Sequence, residues 1–388
     1  MSNAPLFFLI VGEASGDLLG ARLMAALKKR TDGNVRFAGI GGPRMQAEGI
    51  ELFFPQAELA HVGLFEVLRH IPNLLRRINE TVAEVERQCP VALITIDSPD
   101  FCFRVAKQLK GKGIPLIHYV APSVWAWRPG RAKKIARFLD HLLALLPFEP
   151  PYFTKENLPC TFVGHSIVES DADKGNAARF RAHYNVPDDA MLLAVLPGSR
   201  MSEINRLMPI FRATVKQLHV WHPRLRVVIP TVTGMAESVA EFACDWPVPV
   251  TIVQSDEDKY DSFAASTAAL ACSGTISIEL AMARLPAIIA YKVSPLTALL
   301  ARGLLKIKYA TLINIMRDRL IMPEYLQGNC TPDKLAGAVH ALLNNPDVRE
   351  KQIEELAAVA IWLGKGQFAP SDRAAQVVLD VVGKEKCP

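Results

Sequence analysis

Several stretches of this 388-residue chain combine residue types that could do chemistry. Asp97-Ser98-Pro99-Asp100-Phe101 follows the apolar run Val91 to Ile96. A carboxylate at the carboxyl end of a buried strand can take a proton from an attacking hydroxyl. The same residues also suit a helix start, with Asp97 or Ser98 as N-cap and Pro99 at the first helical position. Asp97 and Asp100 have the spacing of a D-x-x-D metal pair, but no histidine lies close by in sequence. A second stretch, Gly12-Glu13-Ala14-Ser15-Gly16-Asp17-Leu18-Leu19-Gly20, sits where an apolar run gives way to a helical pattern. Glycines there let backbone N–H groups approach a ligand, and a helix N-terminus favours an anion. A turn of purely structural purpose is the other reading, for these residues and for Gly39, Gly41 and Gly42 alike. Neither G-x-G-x-x-G nor G-K-[ST] is present here, which excludes a dinucleotide fingerprint and a P-loop.

Leu196-Pro197-Gly198-Ser199-Arg200, followed by Glu203, repeats the order of apolar run, glycine and helix, now with an arginine able to hold a diphosphate. Ser273-Gly274-Thr275 follows the run ending at Cys272, and Glu279 lies one turn into the next helical pattern. Small hydroxyl residues at a helix N-terminus suit phosphate, and a carboxylate one turn later can accept hydrogen bonds from ribose hydroxyls. Together these residues read as a nucleotide site. The segment His118 to Arg128 sets Trp125 and Trp127 beside a basic run, which suits sugar or phosphate contact; tryptophans filling the core is the alternative. The segment Leu64 to Ile78 mixes Val67, Leu68, Ile71, Leu74 and Leu75 with Arg69, Arg76 and Arg77 and has almost no acid. It suits a membrane interface, or equally a buried amphipathic helix. Asp256-Glu257-Asp258 with Asp261 reads as a solvated acidic loop.

Positioning these residues requires a regular scaffold, and the pattern supplies one. Short apolar runs at Leu6 to Val11, Val35 to Ile40, Val91 to Ile96, Leu116 to Val120, His141 to Leu146 and Thr161 to Val163 alternate with longer helical patterns. Leu192 to Leu196, Arg226 to Pro230, Val250 to Val253, Ala268 to Cys272 and Ala287 to Tyr291 repeat that rhythm after a polar stretch, Glu169 to Asn176, that reads as a linker. Buried strands joined by helices predict parallel sheets in two doubly wound α/β domains. Ligands of such sheets bind at the carboxyl ends of the strands, so function is expected in a cleft between the domains. Pro370 to Val382 is expected to be a closing helix capped by Ser371.

Half of the residues are hydrophobic and 21% are charged, which supports a large core and argues against disorder. The formal charge of +5 is too small to imply nucleic acid by itself. Basic groups at Arg69 to Arg77, Arg128 to Arg137 and Arg302 to Arg319 suit phosphates, anionic lipid or a solvated helix face. Seven scattered cysteines without C-x-x-C argue against a disulfide framework or zinc site and fit a reducing cytoplasm. The first apolar run reads as a strand rather than a signal peptide. The weakly charged stretch Ser262 to Ile278 is too short and polar to span a bilayer.

GEASGD, IDSPDF, HYVAPSVWAWR, PFE, LPGSR, SGTISIELA and MPEYLQ occur in an order that closely resembles the bacterial lipid-A-disaccharide synthase family, from about Leu6 to the C-terminus. That resemblance implies a GT-B glycosyltransferase of two Rossmann-like domains, 1–168 joined by the helix 366–388, and 169–365. It implies transfer of 2,3-diacylglucosamine from its UDP derivative to 2,3-diacylglucosamine 1-phosphate, with inversion, giving a β-1,6-linked disaccharide 1-phosphate and UDP. The step belongs to lipid A synthesis at the cytoplasmic face of the Gram-negative inner membrane, with no cofactor, metal or nucleic acid required.

Carried onto this chain, the resemblance implies Gly198, Ser199, Arg200, Glu203, Ser273, Gly274 and Thr275 at the UDP, with Glu279 at its ribose and Asn314 facing the donor, joined by Glu324 and Gln327. Asp97 is the expected general base and Asp100 the fallback. Glu13, Ser15 and Gly16 are expected near the sugars or the acceptor phosphate, with Trp127 and Arg128 assisting. Val67, Leu68, Arg69, Ile71, Leu74, Leu75 and Arg76 are expected to meet acyl chains or the membrane. The closing helix is expected to return to the first domain, with exchange between subunits of a homodimer left open. The peptidoglycan N-acetylglucosaminyltransferase, a UDP-sugar epimerase and a non-catalytic lipid-binding protein are the competing readings.

Overall fold

The computed structural model describes residues 4–60, 67–126, 130–294, 298 and 308–385. The chain divides into two compact units, Met1–Ser166 with Gly366–Pro388, and Ile167–Lys365. The first holds strands β1 (Leu6–Val11), β2 (Arg36–Gly41), β3 (Glu51–Pro55), β4 (Ala92–Ile96), β5 (Leu116–Tyr119), β6 (His141–Ala144) and β7 (Cys160–Phe162). They form one sheet in the order β3-β2-β1-β4-β5-β6-β7, parallel throughout. Successive side chains of β1 point to opposite faces: Phe8 and Ile10 join one core, Phe7, Leu9 and Val11 the other. Helices cover both faces, which is why these strands read as unbroken apolar runs.

One face carries the helices Val67–Gln88 and Pro99–Leu109, the other Ala14–Arg30 and Pro370–Glu385. Helix Ala14–Arg30 has Asp17 in its first turn and Lys28, Lys29 and Arg30 in its last, complementing its dipole at both ends. The C-terminal helix docks on it through buried Ala374, Ala375 and Val378. Arg30 grips Asp372 with two hydrogen bonds of 2.7 and 2.8 Å. Ser371 lies inside the first turn of this helix, behind Pro370, and is not its N-cap.

The second unit holds β8 (Met191–Leu196), β9 (Leu225–Pro230), β10 (Val250–Val253), β11 (Ala268–Cys272), β12 (Ala287–Tyr291) and β13 (Glu324–Leu326). Their order, β10-β9-β8-β11-β12-β13, repeats that of the first sheet, again all parallel. The edge strands β3 and β13 escaped the sequence reading. Both are short, each starts with a glutamate and neither is buried along its length, so Glu51-Leu52-Phe53-Phe54-Pro55 and Glu324-Tyr325-Leu326 do not stand out as apolar runs. Among the described residues, no helix is long and apolar enough to cross a membrane.

Two close approaches fix the first sheet. Gly39 has φ +140°, and a Cβ there would fall 1.9 Å from the Leu9 carbonyl oxygen, so only glycine fits between β1 and β2. Asp17, the last residue of the GEASGD motif, is 3% exposed. Its carboxylate accepts the backbone amides of Gly42, Arg44 and Met45, each at 3.0 Å, and so ties the first glycine turn to the second. Asp17→Ala leaves three buried or part-buried amides unpaired and is expected to destabilise the protein by about 3 kcal/mol. Urea unfolding of the two proteins measures this; a change under about 0.5 kcal/mol would show the carboxylate to be dispensable.

Candidate functional site

In each sheet the direction of winding reverses once, between β8 and β11 in the second unit and between β1 and β4 in the first. At such a reversal the connections leave in opposite directions, and a crevice opens beyond the carboxyl ends of the strands. Leu196 of β8 is in register with Ala271 of β11, so the turns after these strands begin side by side although far apart in sequence. A cavity of about 570 Å³ lies there, lined by Gly198, Ser199, Arg200, Glu203, Ser273, Gly274, Thr275 and Glu279. The two motifs of the second unit are thus brought together. The ends of β9 and β10 contribute Thr231, Gln254, Ser255, Asp256 and Lys259.

The cavity residues divide into braces and open groups. Gly198 has φ +112°, and a Cβ on it would lie 2.3 Å from Glu203 Oε2. That oxygen accepts the amides of Ser199 and Arg200 at 3.1 and 3.3 Å. Glu203 therefore braces the turn instead of addressing a ligand. The Arg200 guanidinium touches Glu203 only at 3.4 Å and its side chain is 79% exposed, leaving it available to an anion. Across the cavity, among the described residues, no backbone carbonyl accepts the amides of Gly274 or Thr275. A Cβ on Gly274 would meet nothing within 4 Å, so internal packing does not demand glycine at that position.

Ser273 is held from behind. Its Oγ donates to the Ala310 carbonyl at 3.2 Å, and Glu324 accepts the amides of Ala310 and Thr311 at 2.9 and 2.7 Å. Asn314 is fully buried. Its Nδ2 donates to Met322 O and Glu324 Oε1, and its Oδ1 accepts the amides of Ile321 and Met322. The four bonds of the Asn314 side chain all lie inside the protein, and with Glu324 it supports Ser273. The Gln327 side-chain amide lies against the backbone of Val293, whose N–H and C=O it pairs when its oxygen and nitrogen are exchanged, at 3.2 and 3.3 Å.

Lys259 was missed in the sequence because it sits inside an acidic run. The run is no loop: it begins the helix Asp256–Ala265, capped by Ser255, whose Oγ accepts the Asp258 amide at 3.0 Å. Asp261 is 2% exposed, not solvated, and pairs with Arg179, which together with the Asn176 amide holds its carboxyl below the usual range against the opposing effect of burial.

In the first unit Val11 of β1 is in register with Ile96 of β4, which sets the Gly12 turn beside the Asp97 turn. A Cβ on Gly12 would strike Ser98 Oγ at 2.2 Å. Asp97 and Ser98 have φ +53° and +42°, and Val120, which follows β5, has φ +82°. Three residues with side chains in left-handed conformation on neighbouring strand ends are costly and concentrate at functional sites. Asp97 is half-buried, with Oδ1 accepting the Ser98 amide at 2.9 Å, whereas Asp100 is exposed in the first turn of the next helix. Ser98 occupies the N-cap position but makes no capping bond. Glu13 and Ser15 are exposed at the neighbouring turn, while Gly16 is buried against Val11.

Trp127 and Arg128 lie outside the described residues, as does the 61–66 segment. Val67, Leu68, Arg69 and Ile71 belong to the helix Val67–Gln88, with side chains outside the described part. Beyond them Leu75 is exposed, Leu74 packs against the core, Arg76 pairs with Glu80 at 3.6 Å, and Arg77 is tied to Glu58 and Glu80. Of the two leucines, Leu75 is thus the exposed one and Leu74 the partly buried one. Trp125 is half-buried: its Nε1 donates to Glu149 at 3.3 Å and its ring meets Phe148.

Two wound parallel sheets of the same order, with a cavity of hydroxyl, glycine and arginine groups at the reversal of the second, are the architecture of the GT-B fold class. A solved putative UDP-N-acetylglucosamine 2-epimerase from Listeria monocytogenes superposes with a TM-score of 0.65 at 12% identity, covering 98% of this chain and 96% of that one. The calicheamicin glycosyltransferase CalG4 gives 0.61 at 15% identity, with both chains covered completely. A family model described as lipid-A-disaccharide synthetase matches residues 7–378. The lipid-A-disaccharide synthase of Rhodospirillum centenum is 56% identical over 98% of this chain and 95% of its own. The chain belongs to the lipid-A-disaccharide synthase family, glycosyltransferases of lipid A biosynthesis.

Glu149, from the PFE motif, is 3% exposed and accepts the Leu146 amide at 3.0 Å besides Trp125. Burial pushes its carboxyl up to about 7 from the ordinary 4.5. Between those values the folded chain holds a proton that the unfolded chain has released, so stability falls as pH rises through that window. Glu149→Gln cannot ionise and is expected to escape this loss, gaining roughly 3 kcal/mol relative to wild type between pH 4 and pH 8. Parallel unfolding curves at several pH values check this. His118, whose burial lowers it to about 3, acts in the opposite direction but equally in both proteins.

Proposed function

We propose that the second-unit cavity holds the UDP of a UDP-2,3-diacylglucosamine donor and that the acceptor is 2,3-diacylglucosamine 1-phosphate. The observation that carries this reading is the convergence on one cavity of about 570 Å³ of Arg200, Glu279 and the amides of Gly274 and Thr275, which no backbone carbonyl among the described residues accepts. The leaving UDP gains negative charge as the glycosidic bond breaks. A guanidinium and pre-aimed N–H dipoles stabilise that charge without reorganising in the transition state. Glu279 would accept from the ribose hydroxyls. The acyl chains of both substrates make contact with a membrane surface necessary, and the helix containing Leu75 is the part of the first unit that would supply it.

Asp97 is the base in this reading, with Asp100 as the fallback. It would take the proton of the acceptor 6-hydroxyl while that oxygen attacks the anomeric carbon from the face opposite UDP, inverting the configuration to a β-1,6 linkage. Its left-handed backbone holds the carboxylate at the strand end, one bond from the Ser98 amide and with the rest of its acceptor capacity unused among the described contacts. The reading requires the Asp97 turn and the cavity to address the same sugar. It also places the enzyme at the cytoplasmic face of the inner membrane, where both glycolipids would be presented.

The experiment is UDP release from UDP-2,3-diacylglucosamine in detergent micelles, with and without the acceptor, for wild type and Asp97→Asn. Asparagine tolerates positive φ as aspartate does, so this substitution removes the charge without adding backbone strain. Release is expected to require the acceptor, and kcat to fall by a factor of about 10²–10⁴ in the variant while UDP binding persists. Full activity in Asp97→Asn with loss in Asp100→Asn would move the base to Asp100. Absence of acceptor-dependent release from folded wild type would overturn the transferase reading.

A further inference from the structure

The cavity turns one cation of the acidic run inward. Lys259 Nζ stands 2.8 Å from Asp256 Oδ1 and 2.9 Å from Glu279 Oε2, and 4.6 Å from the ring centroid of Tyr260. The side chains of Lys259 and Glu279 are only 20% and 21% exposed. Burial works against the ammonium charge, but Glu279 and Asp256 outweigh it and raise the pKa of Lys259, so the group stays charged at neutral pH. The ammonium is thus a fixed point between two carboxylates that both line the cavity. Glu279 Oε2, the oxygen it faces, is buried and, among the described residues, is met by this ion pair without a hydrogen bond of good geometry. The exposure of that side chain therefore falls on its other atoms, and Oε1 is the oxygen left for a ligand. Without Lys259, Asp256 and Glu279 would confront each other as like charges, and Glu279 would regain the rotamer freedom that an ion pair removes.

We propose that Lys259 is a positioning residue for nucleotide recognition, holding Glu279 by one carboxylate oxygen so that the other is presented to the vicinal hydroxyls of the ligand's ribose. This rests on reading the cavity as the UDP site. A carboxylate oriented in this way accepts from a diol with both partners preorganised, whereas a free one must be ordered at each binding event. The role differs from direct contact with the diphosphate, because it acts only through the sugar hydroxyls.

Calorimetric binding of UDP and 2′-deoxy-UDP to wild type, Lys259→Met, Lys259→Arg and Glu279→Gln tests it. Wild type is expected to favour UDP over 2′-deoxy-UDP by about tenfold, the effect of one charge-assisted hydrogen bond. In Lys259→Met that preference should shrink to less than about threefold, chiefly by loss of UDP affinity, with Lys259→Arg retaining most of it. Glu279→Gln should remove the preference as well, and adding Lys259→Met to it should cost little more, since the two residues act as a unit. Equal loss of both ligands in Lys259→Met, with the preference kept, would overturn the proposal in favour of phosphate contact or a structural role. So would a wild type that binds UDP without preferring it. A wild type that binds no UDP would overturn the nucleotide reading itself and this inference with it. If Lys259→Met does not fold, the Arg and Glu279→Gln variants decide the same question through the same ratio.

Discussion

The reversal of strand order is the constraint on which the rest of this structure depends. A parallel sheet can be wound outward from its first strand in one direction and then in the other, and only at the change of direction do neighbouring strands send their connections apart. Both sheets here make that change between strands held in tight register, Val11 beside Ile96 and Leu196 beside Ala271. Each crevice is thereby built from two turns whose residues are remote in sequence. The same geometry accounts for the placement of the strained backbone. Asp97, Ser98 and Val120 take left-handed conformations where strands β4 and β5 end, with the buried sheet below to hold them there.

Carboxylates in this chain are sorted by where their oxygens are committed. Asp17 and Glu324 accept backbone amides in the interior, and Glu203 does so at the rim of the cavity. These three act as braces: they satisfy turn N–H groups and so fix the loops that carry other side chains. Glu279 and Asp97 are committed differently, Glu279 to the fixed ammonium of Lys259 and Asp97, among the described residues, to one amide. In the function proposed, these two carboxylates are the ones that meet substrate. Buried Glu149 is a third kind, whose surroundings penalise its charge despite two hydrogen bonds.

The motif residues alone do not separate these roles. Gly198-Ser199-Arg200 and Ser273-Gly274-Thr275 read identically in sequence as glycine and hydroxyl turns ahead of helices. In the structure the first gives its Ser199 and Arg200 amides to Glu203 and offers a guanidinium, while no backbone carbonyl among the described residues accepts the Gly274 and Thr275 amides of the second. Asn314, expected near the donor from a polar position of the resembled family, makes four bonds that are all internal. A side chain's hydrogen-bond partners are tertiary facts, and no local pattern encodes them. Lys259 shows the converse: its surroundings in sequence are acidic and ordinary, and only the approach of Glu279 from another helix gives it a function.

The sequence by itself determined the class of fold, because strands covered on both faces must be apolar along their length and helices between them must be amphipathic. It also determined the family, through motifs whose order survives along almost the whole chain. It could not show the edge strands β3 and β13, which are short and not buried along their length, nor distinguish bracing carboxylates from open ones. Those distinctions belonged to the tertiary structure. They depend on which backbone amides lie within 3 Å of an oxygen after the sheet has closed, and that distance is set by strand register rather than by neighbouring residues.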